Sequence, residues 1–260
     1  MAFAKKSLGQ NFLMHAQTAQ RIVEAAELPE RAVVLEIGPG TGMLTSALLT
    51  TGMSVVAVEA DHTLIPTLEE RFANEVAEGR LRLVQGDVRS VDLSILPEDY
   101  HLVANIPYYI TGELLRMFLS RSQKPRSMTL LVQKEVADRI VRDPKGSLLS
   151  IAVRVYGTPI YRFTVPRGAF VPAPKVDSAV LSIQNISKDA FPTQAEEDWF
   201  FAVLRTGFGH KRKQLVKNLE ALVPRGEVAA VLKSLSLPEK VRAEDLSLHD
   251  WLSLAQTLRN

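Results

Sequence analysis

From about residue 32 the chain alternates short β-branched runs with helix-like stretches. AVVLEIG (32–38), SVVAVEA (54–60), LRLVQGD (81–87), HLVAN (101–105) and MTLLVQ (128–133) are too apolar for half-exposed edges and predict buried strands. The segments between them, such as MLTSALLTTG (43–52) and HTLIPTLEERFANEVAEG (62–79), carry helical periodicity, the second ending at a glycine suited to a C-cap. Strands separated by helices imply a parallel sheet covered on both faces. After Val136 the pattern changes. A helix through 146–156 precedes PIYRFTV (159–165) and AVLSIQN (179–185), two further strands joined by the proline-rich turn 167–178 and suited to antiparallel pairing. KDAFPT (188–193) reads as a linker, and EDWFFAVLRTGF, KRKQLVKNLEALV, EVAAVLKSL and SLHDWLSLAQTLR as helices, the last opened by a Ser247–Asp250 capping box. The expectation is an α/β domain over residues 1–187, with a mostly parallel seven-stranded sheet antiparallel at one end. A small all-α domain over 188–260 follows it.

Composition narrows the chemistry. With 46% apolar and 23% charged residues the chain is neither disordered nor fibrous, and with no cysteine it has no disulfides, thiolate metal sites or cysteine nucleophile. The longest uncharged run, Ile37 to Val58, is interrupted by four glycines, a proline and six Ser or Thr residues, so it reads as strand, turn, helix and strand. The N-terminus has two lysines and no apolar stretch behind them, which predicts no secretory signal and a cytoplasmic location. The net charge of +2 hides an asymmetry: residues 1–115 sum to −7, 116–217 to +10 and 218–260 to −1. A positive middle third points to a polyanionic partner, and nucleic acid is the commonest.

In open α/β sheets ligands bind where strands end, so the residues there are informative. The first run ends in Glu36-Ile-Gly38-Pro-Gly40-Thr-Gly42, glycines that let backbone approach a ligand. The spacing is not the G-x-G-x-x-G of dinucleotide binders, and no Lys-Ser or Lys-Thr follows as a phosphate loop needs. The second run ends in Glu59, 21 residues after Gly38, where a carboxylate can accept both hydroxyls of a ribose. The third ends in Gly86-Asp87, whose acid can accept the exocyclic amine of adenine. Together they describe a pocket for adenosine without a phosphate chain, the shape of S-adenosylmethionine. Residues 32 to about 133 resemble the Rossmann-like class I methyltransferases in this order.

The fourth run ends in Asn105-Ile106-Pro107-Tyr108. The lone pair of an adenine amine is delocalised into the ring. An Asn oxygen and the Ile106 carbonyl, each accepting one N–H, favour a tetrahedral nitrogen able to attack a methyl group. Pro107 helps present that carbonyl rigidly, and Tyr108 offers a stacking face for an unstacked base. Phe170, on the proline-stiffened loop, is placed to close the base's other face, although a lone Phe is more often a core anchor.

Over nearly its whole length the chain resembles the small-subunit ribosomal RNA adenine dimethyltransferases. The matching stretches are 7–13, 36–45, 58–61, 86–88, 105–111, 133–136, 170–180 and 207–219. The resemblance implies S-adenosylmethionine as cofactor and dimethylation of N6 on two adjacent adenosines near the 3′ end of 16S rRNA. It implies cofactor contacts from Gln10, Asn11, Leu13, Gly38, Gly40, Glu59, Asp87, Val88 and Asn105. Asn105, Ile106, Pro107, Tyr108 and Phe170 would form the catalytic set. The chain departs from the family at Ile106 and Tyr109, where Leu and Asn are frequent, and at Thr111-Gly112.

Arg205, Lys211, Arg212, Lys213 and Lys217 form a cluster with no acid among residues 205–217, placed to grip RNA phosphates; Lys124, Arg126, Arg139, Arg142 and Lys145 extend it. The five histidines have no metal-ligand spacing, so no metal is expected. The expected partner is the small ribosomal subunit, met by a monomer. Two other readings share these motifs: a large-subunit adenine methyltransferase of the antibiotic-resistance type, and an RNA-binding assembly or transcription factor without chemistry. A DNA adenine methyltransferase fits less well, because its motif more often carries N-P-P or D-P-P.

Overall fold

The computed structural model describes residues 9–210 and 212–259, which group into two compact units. The first, residues 1–138 and 158–186, holds the sheet. It begins with β1 (Phe12–Leu13) and α1 (Ala16–Ala26), whose Ala19, Ile22, Val23 and Ala26 make the buried i, i+3, i+4, i+7 stripe of an amphipathic helix. Then follow β2 (Val33–Ile37), α2 (Met43–Thr50), β3 (Ser54–Glu59), α3 (Ile65–Arg71), α4 (Ala73–Ala77), β4 (Leu81–Gln85), β5 (His101–Asn105), α5 (Thr111–Ser120), β6 (Met128–Gln133) and α6 (Lys134–Val141).

The single helix expected over 62–79 is broken at Phe72. Its backbone leaves the helical region (φ −117°, ψ 31°), and its ring packs over Gly42, where a Cβ would sit 2.6 Å from Cε2.

Beyond α7 (Leu148–Arg154), the unit resumes with β7 (Thr158–Val165), β8 (Phe170–Val171) and β9 (Ser178–Gln184). The seven-stranded order is β4-β3-β2-β5-β6-β9-β7, parallel from β4 to β6, with β9 antiparallel to both neighbours. The runs of β2, β3, β5 and β6 thus become interior strands buried on both faces, whereas β4, expected to be buried, is an edge strand with Arg82 and Gln85 exposed. The chain builds outward from β2 on one side and from β5 on the other, so the order reverses between them. That reversal opens a crevice above the strand ends. A separate two-stranded ribbon pairs β1 with β8, Phe12 opposite Val171 and Leu13 opposite Phe170.

The second unit comprises residues 139–157 and 187–260. The expected boundary at 187 had kept 139–157 with the sheet. Their apolar side chains lie elsewhere: Tyr156 stacks on Phe201 at 5.8 Å, meets Phe191 edge-on at 6.0 Å and donates its hydroxyl to Glu197. The unit continues with α8 (Gln194–Gly207), α9 (Leu215–Leu219), α10 (Arg225–Ser234) and α11 (Leu248–Thr257). Capping boxes open α8 at Thr193–Glu196 and α11 at Ser247–Asp250. The helix expected from Lys211 shrinks to α9, and Asn218 Nδ2 on it donates to the Gly207 and His210 carbonyls.

Fully buried Trp251 of α11 stacks on Phe208 at 5.4 Å and lies against Gly207, where a Cβ would collide with its ring. Gly207→Ala should therefore lower stability by about 1–3 kcal/mol despite alanine's better helix propensity. A urea midpoint at or above that of the wild type would show that this contact yields.

Candidate active site

The crevice at the order reversal is lined by the ends of β2, β3 and β5, by the turns that follow β2 and β4, and by residues 9–13. Gly38, Gly40 and Gly42 all have positive φ (67°, 59° and 80°), which the turn from β2 into α2 demands. At Gly40 space is also decisive, because a Cβ there would lie 2.9 Å from the Phe12 ring. Glu59 ties this turn to β3. Its Oε2 accepts the Gly40 amide at 3.0 Å and its Oε1 the Asp61 amide at 2.8 Å. Burial raises the Glu59 pKa, and those two amides pull partly against it.

Asn105, at the end of β5, donates through Nδ2 to the Asn11 carbonyl at 3.0 Å. That bond orients the amide and leaves Oδ1 as the acceptor with no partner among the described residues. Asn11 Nδ2 in turn donates to the Gly9 carbonyl at 3.2 Å, and Gln10 Nε2 to Asp61 Oδ2 at 3.4 Å. Leu13 is buried in the β1–β8 ribbon. Ile106 and Pro107 line the crevice beside half-buried Tyr108, whose hydroxyl lies 2.6 Å from Ser178 Oγ. Burial raises the Tyr108 pKa, so it stays neutral.

Phe170 does not stand with this group. It is 2% exposed, packs in the core of the sheet unit and is absent from the crevice lining, so the stacking role expected of it is corrected to that of an anchor behind Leu13. Asp87 and Val88 do line the crevice. Arg89 clamps Asp87 through Nε (2.9 and 3.0 Å) and Nη2 (2.5 Å), holding the carboxyl below its ordinary range.

Two contributors stand in motifs quoted from the sequence but had no role assigned there. Glu36, on β2, is 1% exposed and lines the crevice with no hydrogen-bond partner of good geometry for either oxygen. Desolvation lifts its pKa to about 8; nearby Thr45 opposes the shift and the Glu59 charge adds to it. The signal was present, an acid inside an apolar strand, but its isolation was not. Tyr109 lines the mouth, and nothing local announced its exposure.

In the second unit Arg205, Arg212, Lys213 and Lys217 are exposed, with no ion pair among the described residues; Lys211 lies outside them. Lys124 does not extend a basic surface. It is buried, its ammonium donating to the Leu119 and Arg121 carbonyls. Among the described residues there is no cluster of His, Asp and Glu that could hold a metal, and no helix long and apolar enough to cross a membrane.

Known proteins share this arrangement. The Ribosomal RNA adenine dimethylase family model matches residues 1–260. A Ribosomal RNA small subunit methyltransferase A of Synechococcus sp. (strain JA-3-3Ab) is 41% identical, over 99% of this chain and 94% of its own. Among solved structures, a dimethyladenosine transferase from Plasmodium falciparum superposes with a TM-score of 0.79 at 27% identity, covering 94% of this chain and 95% of the other. The 23S rRNA methyltransferase ErmE superposes with a TM-score of 0.77 at 26% identity, over 96% and 100%. With a crevice built at the reversal of a mostly parallel sheet and relatives that match it nearly end to end, the chain belongs to the ribosomal RNA adenine dimethylase family.

Proposed function

We propose that the protein dimethylates N6 of two adjacent adenosines near the 3′ end of small-subunit 16S rRNA, with S-adenosylmethionine as methyl donor. It would act as a cytoplasmic monomer on the small ribosomal subunit. The observation that carries the reading is Asn105, whose amide is pinned by the Asn11 carbonyl so that Oδ1 faces the crevice as an acceptor. The crevice residues also fit the donor. Glu59 has lone pairs beyond those used by the Gly40 and Asp61 amides, enough for two ribose hydroxyls. Glu36 is a buried acid whose oxygens have no hydrogen-bond partner of good geometry, and the cationic methionine end of the donor would favour its ionised form.

S-adenosylmethionine brings an electrophilic methyl group on a positively charged sulfur. The chain's part is to position the acceptor. Asn105 Oδ1 accepts one N–H of the adenine amine and the Ile106 carbonyl the other, which draws the nitrogen toward tetrahedral geometry and frees its lone pair. Tyr108, tethered to Ser178, holds the base in line, and the proton leaves to solvent once the new C–N bond has formed. Asp87, kept ionised by Arg89, would accept the donor's adenine amine. Arg205, Arg212, Lys213 and Lys217 supply phosphate contacts that position the RNA without reading it. The likeness to the 23S rRNA methyltransferase supports a second reading, methylation of large-subunit RNA. Transfer of labelled methyl to unmethylated small subunits, with naked large-subunit rRNA in parallel and mass mapping of the nucleosides, decides between them. Paired dimethyladenosines in small-subunit RNA are the expected result.

Asn105→Ala should reduce kcat by at least about 100-fold, the scale for losing one oriented hydrogen-bonding group, while subunit binding stays within about twofold. Near-normal turnover would remove the amine-orienting role. Replacing Arg212, Lys213 and Lys217 together with Ala should weaken RNA binding and reduce the slope of log K against log salt by about 3. An unchanged slope would place the phosphate contacts elsewhere.

Glu36 makes a pH-dependent prediction. Its folded pKa, about 8, lies above the ordinary 4.5, so the folded state binds more protons between those values and stability falls as pH rises through that window. The full cost above pH 8 is about 5 kcal/mol. Glu36→Gln removes the charge. It should melt well above the wild type at pH 8.5, with the gap closing toward pH 5, and bind the donor more weakly at pH 8.5, a difference that also narrows toward pH 5, where Glu36 is already neutral. A pH-independent gap in Tm would show that Glu36 does not titrate in this window.

A further inference from the structure

Two tyrosines follow Pro107, and the structure treats them oppositely. Tyr108 is half-buried and tethered to Ser178. Tyr109 is 67% exposed, the most exposed large hydrophobic side chain among the described residues, and still lines the mouth of the crevice. Residues 108–110 form one 3-10 turn, in which successive side chains point about a third of a turn apart, so the two rings face different ways.

The fold does not require an aromatic ring at 109. Burial here is carried by Ile106, and no hydrogen bond engages the Tyr109 hydroxyl among the described residues. One edge of the ring is nonetheless fixed: it lies over Gly9, where a Cβ would sit 3.0 and 3.2 Å from two of its carbons. Arg89, which also lines the crevice, pairs with Glu113 at 3.6 Å. An exposed ring held at one edge is the arrangement on which unpaired bases stack, since every base presents a π-face.

We propose that Tyr109 is a stacking platform for the base next to the adenosine held in the crevice, so that two consecutive adenosines are engaged as a pair. The proposal rests on the function given above. While one adenosine occupies the crevice, its neighbour lies outside by one nucleotide, where Tyr109 is the exposed aromatic at the mouth. Neighbouring Tyr108 cannot serve that base, being turned to Ser178.

The test is steady-state methylation of unmethylated small subunits by the wild type and by Tyr109→Ala, Tyr109→Leu and Tyr109→Phe. Donor affinity is measured by calorimetry. Loss of one base–aromatic stack should raise KM for subunits about 5- to 100-fold in the Ala and Leu variants. Their kcat and donor affinity should stay within about twofold, because the stack is made equally in ground and transition states. Phe should restore the wild-type KM, because it keeps the ring and loses only the hydroxyl. Three results overturn the proposal: an unchanged KM in Ala, Phe as impaired as Ala, or Ala losing donor affinity as much as subunit affinity. Wild-type enzyme that binds the donor yet methylates no small subunits overturns the proposed function and this inference together. Active wild type with an equally active Ala variant overturns the stacking alone.

Discussion

The hydrogen bond from Asn105 Nδ2 to the Asn11 carbonyl decides which atom of Asn105 faces the crevice. It joins residues 94 apart, and it exists because the β1–β8 ribbon lays residues 9–13 over the ends of the central strands. The same ribbon presses Phe12 onto Gly40, and Glu59 then locks the Gly40 amide. Arm, glycine turn and acidic strand end are thus one mechanical unit. Phe170 belongs to it as the buried strand partner of Leu13, which ties the arm to the sheet unit's core.

This crevice is assembled against the fold's own stability. Glu36, Glu59 and Asp61 are all buried near the same strand ends, and the Glu59 charge raises the pKa of Glu36. Glu59 and Asp61 are satisfied by amides and hydroxyls, including Thr63 Oγ1 at 2.6 Å from Asp61. Glu36 has no partner of comparable geometry, so burial holds it neutral up to about pH 8, and ionising it carries a desolvation penalty. Such a penalty is tolerable where a cationic ligand would discharge it, and functional sites are where folds commonly hold one.

The helical unit follows a different logic. Its core rests on aromatic contacts, Tyr156 with Phe191 and Phe201, and Trp251 with Phe208, while its basic side chains near α9 stay in solvent. Asn218 of α9 donates to the Gly207 and His210 carbonyls, and the cations at 212 and 213 precede α9 and do not stand on a continuous helix.

Much of this was legible in one dimension. Interior parallel strands buried on both faces must read as unbroken apolar runs, which made β2, β3, β5 and β6 plain, while β4, β7 and β9 were visible as shorter apolar stretches; Glu59, Asp87 and Asn105 stood out because a polar residue follows such a run. Capping at Ser247 was equally visible, being a local exchange of two hydrogen bonds. Tertiary structure decided what depends on distant partners: the two-residue strands β1 and β8, the burial of Phe170, the break at Phe72 and the placement of 139–157 with the helices. It also separated Tyr108 from Tyr109, adjacent and identical in type. Periodicity reports which faces a segment offers, but which face meets protein and which meets solvent is settled only when chain segments 94 to 159 residues apart come into contact.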